Sequence, residues 1–156
     1  MTDIHIDYEA LSLSPLLVGL RMEELQDLMS PAKPRSYGPG EVVVSEGSPG
    51  DTMFMVCSGE FIVEKGAASG EQIELAVMNE PGEFFGEMVF VDVLPRSATI
   101  RAQKDGVLLA LELETLREFF STHQDAHLNI TLNIARMLSV RLRKADETIA
   151  ELKSSG

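Results

Sequence analysis

Cysteine occurs once in the 156 residues, at Cys57, so an intrachain disulfide is excluded. Cys57 lies in the apolar run MFMVCSG and reads as a small buried hydrophobe. A single thiol fits a reducing, cytoplasmic setting. Basic residues are also scarce: 13 Lys and Arg stand against 25 Asp and Glu, a formal charge of −12. That balance argues against the basic face of a nucleic-acid groove and against adhesion to an anionic membrane. No apolar run approaches the roughly 20 residues of a bilayer span. The opening stretch MTDIHIDYEA carries acids and no basic n-region, unlike a secretory signal. GxSxG, P-loop and HExxH motifs are missing, as is any metal set or placed base to activate water, so catalysis is not expected.

What is present fits one domain with its own core. Residues 1–10 read as a flexible leader, and 11–156 as a single domain. Leu17, Leu20, Met22, Leu25, Leu28 and Met29 recur at helical spacing, predicting an N-terminal helix over 14–29 with Pro15 near its start. SPAKPRSYGPG then ends it. From about 38 to 113, short β-favouring runs (EVVVSEG, TMFMVCSG, EFIVEK, QIELAVM, SATIRAQ, VLLALEL) alternate with glycine-bearing turns. The fold class predicted is mainly β with flanking helices: a double-stranded β-helix, or jelly-roll barrel, whose strands close around a shared interior. ETLREFF predicts a short helix, and a long C-terminal helix follows over about 124–152. Along it Leu128, Thr131, Ala135, Leu138, Leu142, Ala145, Ile149 and Leu152 form a heptad seam. Ile130, Ile134 and Met137 form a second stripe. Two apolar faces call for two neighbours: the domain's own barrel and a second copy of the chain, hence a homodimer.

The stretch PGEFFGEMVFVDVLPRSATI, from Pro81 to Ile100, holds the chemistry. A glycine before a short helical turn leaves backbone N–H groups free to face an anion, and Gly86 has no side chain to block a close approach. Nine residues beyond Glu87, Arg96 supplies a guanidinium fork suited to phosphate oxygens, and Ser97 adds a hydroxyl. Glu87 would repel a phosphate but accept from a sugar hydroxyl. A cyclic 3′,5′-nucleotide offers one of each: a singly charged phosphate and a free ribose 2′-hydroxyl. Each residue alone has a plainer reading. Glu87 is also what a helix's first turn favours, and Arg96 also suits a solvated Pro-Arg turn.

Gly86-Glu87 followed by PRSAT at 95–99 resembles the phosphate-binding cassette of cyclic nucleotide-binding domains. Those domains occur in the bacterial catabolite activator, in cyclic nucleotide-dependent protein kinases and in gated channels. VVVSEGSPGDTMFMVCSGE at 42–60 resembles the family's second signature, with Gly47, Gly50, Asp51 and Gly59 at the expected places. The resemblance covers roughly residues 12–152 and implies roles. Arg96 would pair with the cyclic phosphate and Glu87 with the ribose 2′-hydroxyl. Gly86, Ser97 and the backbone amides of Met88 and Val89 would complete the cradle. Phe85 would shape the wall and Ala98 would sit close to the ligand. Val89 and Phe90 depart from the small and aliphatic pair usual there. The turn of the long helix that holds the base in the catabolite activator reads Lys144, Ala145, Asp146, making Ala145 and Asp146 candidate base contacts for cAMP or cGMP.

The implied function is a cyclic nucleotide-binding sensor with no cofactor, no DNA-binding domain of its own and an output partner of unspecified kind. The alternative is a structural or interaction domain of the same fold with a vestigial pocket. His123 and His127, at i and i+4, are spaced to share a metal but have no evident third ligand, and otherwise read as a polar helix start. Arg136, Arg141, Arg143 and Lys144 read as a solvated basic face.

Overall fold

The computed structural model describes residues 4–91 and 94–155. Among these residues, eight strands form two four-stranded antiparallel sheets flanked by four α-helices. The first sheet orders β1 (Lys33–Tyr37), β8 (Gly106–Glu112), β3 (Thr52–Ser58) and β6 (Phe84–Phe85). The second orders β2 (Val42–Val44), β7 (Thr99–Ala102), β4 (Phe61–Gly66) and β5 (Gln72–Met78). The strands enclose an interior, but the ladders of the described residues are two open sheets rather than the closed barrel expected.

Alternation explains why β3 and β8 read as unbroken apolar runs. Phe54 and Val56 of β3, with Leu108 and Ala110 of β8, face the second sheet and pack on Phe61, Ile100 and Ala102. Their neighbours Met53, Met55, Leu109 and Leu111 point the other way, into a separate core shared with the helices. A strand buried on both faces needs apolar residues at every position.

The helices differ from the sequence expectation in two places. The single helix predicted over 14–29 is broken: α2 spans only Met22–Met29, and turns occupy the residues before it. Gly19 adopts φ +98°, outside the right-handed helix, and a Cβ there would lie 2.7 Å from the Asn129 side chain. Arg21 N–H donates to the Glu24 carboxylate at 2.9 Å to start α2. The expected leader is packed: α1 (Tyr8–Ser12) is capped by Asp7, Leu11 is buried, and Ile4, Ile6 and Tyr8 lie on the helical core. Residues 1–3 and Gly156 of the predicted domain ranges fall outside the described residues.

The prolines of SPAKPRSYGPG end the helical spacing, yet Lys33–Tyr37 pairs with β8 along its whole length, Pro34 opposite Leu109. β1 is an edge strand, where a missing N–H is tolerated.

α3 (Leu113–Thr122) leads through His123 into α4 (Gln124–Ser154). The two stripes of α4 separate as the periodicity predicts. Ile130 and Ile134 are buried on the helical core and Met137 is partly so, while Leu128, Leu138, Leu142, Ile149 and Leu152 are exposed. Among the described residues, no helix is long and apolar enough to cross a membrane.

Candidate functional site

The two glycine-rich signatures meet in space. The turn at 45–51 lies against the segment 95–99, joined by a bridge between Pro49 and Pro95. Gly47 N–H donates to the Arg96 carbonyl at 2.8 Å, and Arg96 N–H donates to the Ser48 carbonyl at 2.8 Å. Arg96 is thus held by its own backbone between one donor and one acceptor of that turn. Gly50 makes room for its side chain: a Cβ there would sit 2.5 Å from Arg96 Nε.

Gly86 makes room from the other side. It has φ +78°, and a Cβ there would lie 2.6 Å from Arg96 Nη1 and 2.8 Å from the Thr52 carbonyl. The guanidinium is therefore threaded between two glycines. Its Nη2 donates to the Thr52 carbonyl at 2.7 Å. Its buried Nε finds no hydrogen-bond partner among the described residues. Burial pushes the Arg96 pKa below its ordinary value, and the Asp51 carboxylate opposes that shift. Arginine stays protonated regardless, so an underused, half-buried cation faces the interior.

Glu87 opens a short 3₁₀ turn, Glu87–Phe90. It is buried, and its Oε1 forms an ion pair with Arg141 Nη1 of α4 at 3.0 Å. Glu87 and Arg96 both line one cavity of about 630 Å³, within the range of small-molecule sites. Val44, Val63, Leu75 and Met78 give it apolar walls, and Lys65, Ser97 and Arg141 add polar edges. Phe85 stacks on Phe54 at 5.0 Å between ring centroids and forms part of the wall.

Of the residues singled out from sequence, Phe85, Gly86, Glu87, Met88, Arg96, Ser97 and Ala98 all line this cavity. Val89 does not. Its side chain is buried in the helical core, and its N–H donates to the Gly86 carbonyl at 3.2 Å. Ala145 and Asp146 are exposed on α4 and lie outside the lining; the helix reaches the cavity through Arg141 instead. Arg141 had read as one charge of a solvated face, and Lys65 carried no signal at all. Their roles depend on packing between segments distant in sequence.

The two histidines are separated. His123 Nε2 pairs with Asp27 at 3.0 Å, whereas His127 stacks on Phe120 at 4.1 Å between ring centroids. No cluster of three or more candidate metal ligands occurs among the described residues.

Known proteins resemble this chain over most of its length. The Cyclic AMP receptor protein of Thermus thermophilus is 35% identical over 133 residues, covering 85% of this chain and 59% of the relative. The crystal structure of the Thermus thermophilus Catabolite Activator Protein superposes with a TM-score of 0.77 at 33% identity, covering 90% of this chain and 63% of that one. The N-terminal domain of a transcriptional regulator from Streptomyces coelicolor superposes with a TM-score of 0.76 at 28% identity, covering 92% and 95%. The chain spans about three fifths of the length of that cyclic AMP receptor protein and of the CRP-like cAMP-activated global transcriptional regulator of Mycobacterium tuberculosis, to which it is 24% identical over 144 residues. The family model for the cyclic nucleotide-binding domain matches residues 34–123, which include both signatures and every β-strand from β2 to β8, and this chain belongs to that family.

Proposed function

We propose that this domain binds a cyclic nucleotide as a regulatory signal and does not turn it over. The observation that carries the reading is the threading of Arg96 between Gly50 and Gly86 in the cavity that Glu87 also lines. In this reading the cyclic phosphate meets Arg96, Ser97 and the backbone at Gly86, and the ribose 2′-hydroxyl donates to Glu87. The base would extend toward Arg141 and the turn of α4 holding Ala145 and Asp146. cAMP is the first candidate because two relatives carry cyclic AMP or cAMP in their names, with cGMP as its competitor.

Glu87 also supplies the route out. Its carboxylate is ion-paired with Arg141, so a sugar hydroxyl arriving at Glu87 must share or displace that pairing. Occupancy of the cavity would then change how the outer part of α4 sits, a population shift between helix positions. The same helix exposes the heptad seam, which supports homodimerisation in a cytoplasmic protein that passes the signal to an output partner or domain.

Calorimetric titration with cAMP and cGMP tests this. Binding in the micromolar range or tighter is expected, with Arg96→Leu abolishing it while the circular dichroism spectrum is retained. One observation favours a second reading, a structural domain with a vestigial pocket: Arg96 Nη2 already donates to the Thr52 carbonyl, and Glu87 is already ion-paired with Arg141. A folded wild-type chain that binds neither nucleotide would establish that reading, and turnover of either ligand would overturn both.

A further inference from the structure

We propose that Lys65 is a positioning residue of this anion site, holding the 96–99 strap in the orientation that receives the phosphate; the inference rests on the cyclic-nucleotide reading above. It begins with strand register. β4 and β7 pair antiparallel, with Glu64 opposite Thr99 at the start of β7. One residue further, Lys65 therefore stands beside the part of the strap that has not yet entered the sheet. No ladder bond is available there, and the side chain supplies one. Lys65 Nζ donates to the Ser97 carbonyl at 2.7 Å.

The ammonium is itself placed by Glu46. Glu46 Oε2 lies 3.4 Å from Lys65 Nζ, and Glu46 Oε1 accepts from Gly66 N–H at 2.9 Å. Glu46 N–H in turn donates to Thr99 Oγ1 at 3.0 Å. The strap is therefore tied at three residues: Arg96 by Gly47 and Ser48, Ser97 by Lys65, Thr99 by Glu46. Among the described residues, Lys65 is the only tie on the peptide that joins the two cavity-lining residues Ser97 and Ala98. A peptide unit is planar, so fixing its carbonyl fixes its N–H as well. Without Lys65 the carbonyl dipole is free to turn toward an arriving phosphate, which it would repel.

Lys65 contributes little to the fold, because its side chain is half exposed and exposed ion pairs add little stability. A change in ligand binding can therefore be separated from unfolding. The experiment titrates wild type, Lys65→Met and Lys65→Arg with cAMP and with its two phosphorothioate diastereomers, each of which replaces one exocyclic oxygen by sulfur. Wild type is expected to prefer one diastereomer. Lys65→Met should bind cAMP about tenfold more weakly, the loss typical of one charge-assisted hydrogen bond. It should also lose most of the diastereomer preference, with its melting midpoint within about 2 °C of wild type. Lys65→Arg should restore both. Wild type that binds while Lys65→Met shows unchanged affinity and preference overturns the role of Lys65 alone. Equal weakening toward all three ligands with a lowered midpoint overturns it as well, since that is what general loosening produces. Wild type that binds no cyclic nucleotide overturns the site reading and this inference together.

Discussion

The two halves of α4 are one continuous helix and behave as different parts. In the half nearest α3, Ala126, Ile130, Asn133 and Ile134 are buried. There Asn129 and Asn133 donate to the Val18 carbonyl at 2.8 Å, and Asn133 also reaches the Leu16 carbonyl at 2.9 Å. Those bonds satisfy carbonyls left over by the turns before α2, which could not otherwise be buried without loss. In the half from Leu138 onward every described residue is exposed, and the ion pair from Arg141 to Glu87 ties it to the β-sheets. The difference is not one of hydrophobicity, since Leu138, Leu142, Ile149 and Leu152 are as apolar as the buried set. It is one of neighbours: one half is framework, the other is held to the cavity by a bond that a ligand can contest.

The largest effects should therefore come from the inner half. Ile130 is fully buried, and Ile130→Ala should lower unfolding free energy by about 2–5 kcal/mol in urea titration. A loss below about 0.5 kcal/mol would erase the contrast between the halves. Asn133→Ala comes next. It removes the donor to the Leu16 and Val18 carbonyls and should cost about 1–3 kcal/mol by the same measurement. Asn133→Leu should do no better, because the Leu16 carbonyl remains unpaired whatever the volume.

A smaller, pH-dependent effect marks where the inner half begins. His123 Nδ1 lies 2.9 Å from the Phe119 carbonyl and Nε2 lies 3.0 Å from Asp27 of α2. The Phe119 carbonyl raises the His123 pKa above its ordinary value, aided by Asp27 and the more distant Glu24 against the effect of burial. A raised folded pKa means that the stabilisation is complete below the unfolded value of about 6.5 and is lost as pH rises through the folded one. The melting midpoint of His123→Gln should therefore fall below wild type by about 1–2 °C at pH 5.5 and converge with it by pH 9. A gap that widens with pH would reverse the assignment.

How much of this could be read beforehand follows from where the determinants lie. β3 and β8 were legible because both faces are buried, and α4 because its two stripes follow a helical period over many turns. Arg96 and Glu87 were legible as a pair because their chemistry is local to one turn and one strap. β1 was not, since KPRSY is exposed along most of its length and is a strand only through pairing with β8 far along the chain. The break in the first helix was hidden because Leu17 and Leu20 keep helical spacing while Gly19 turns the backbone against Asn129. Lys65 and Arg141 were hidden for the same reason: a lysine on a strand and an arginine on a charged helix face gain meaning only from partners that tertiary packing brings to them.

The sharpest probe of the outer half is a substitution that should change stability least. Leu142 is exposed and lies on the seam, so Leu142→Asp removes little burial within one chain and should shift monomer unfolding by less than about 0.5 kcal/mol. If the seam pairs two copies, the same change places a carboxylate in an apolar interface of a chain already carrying −12. Light scattering at tens of micromolar should then report twice the chain mass for wild type and one chain mass for Leu142→Asp. A matching substitution off both stripes, Ser139→Asp, controls for added charge and should leave the wild-type mass unchanged. Wild type that is monomeric with and without cyclic nucleotide removes the homodimer. A Leu142→Asp variant that keeps the doubled mass moves the interface elsewhere and leaves the outer half joined to the domain by Arg141 alone.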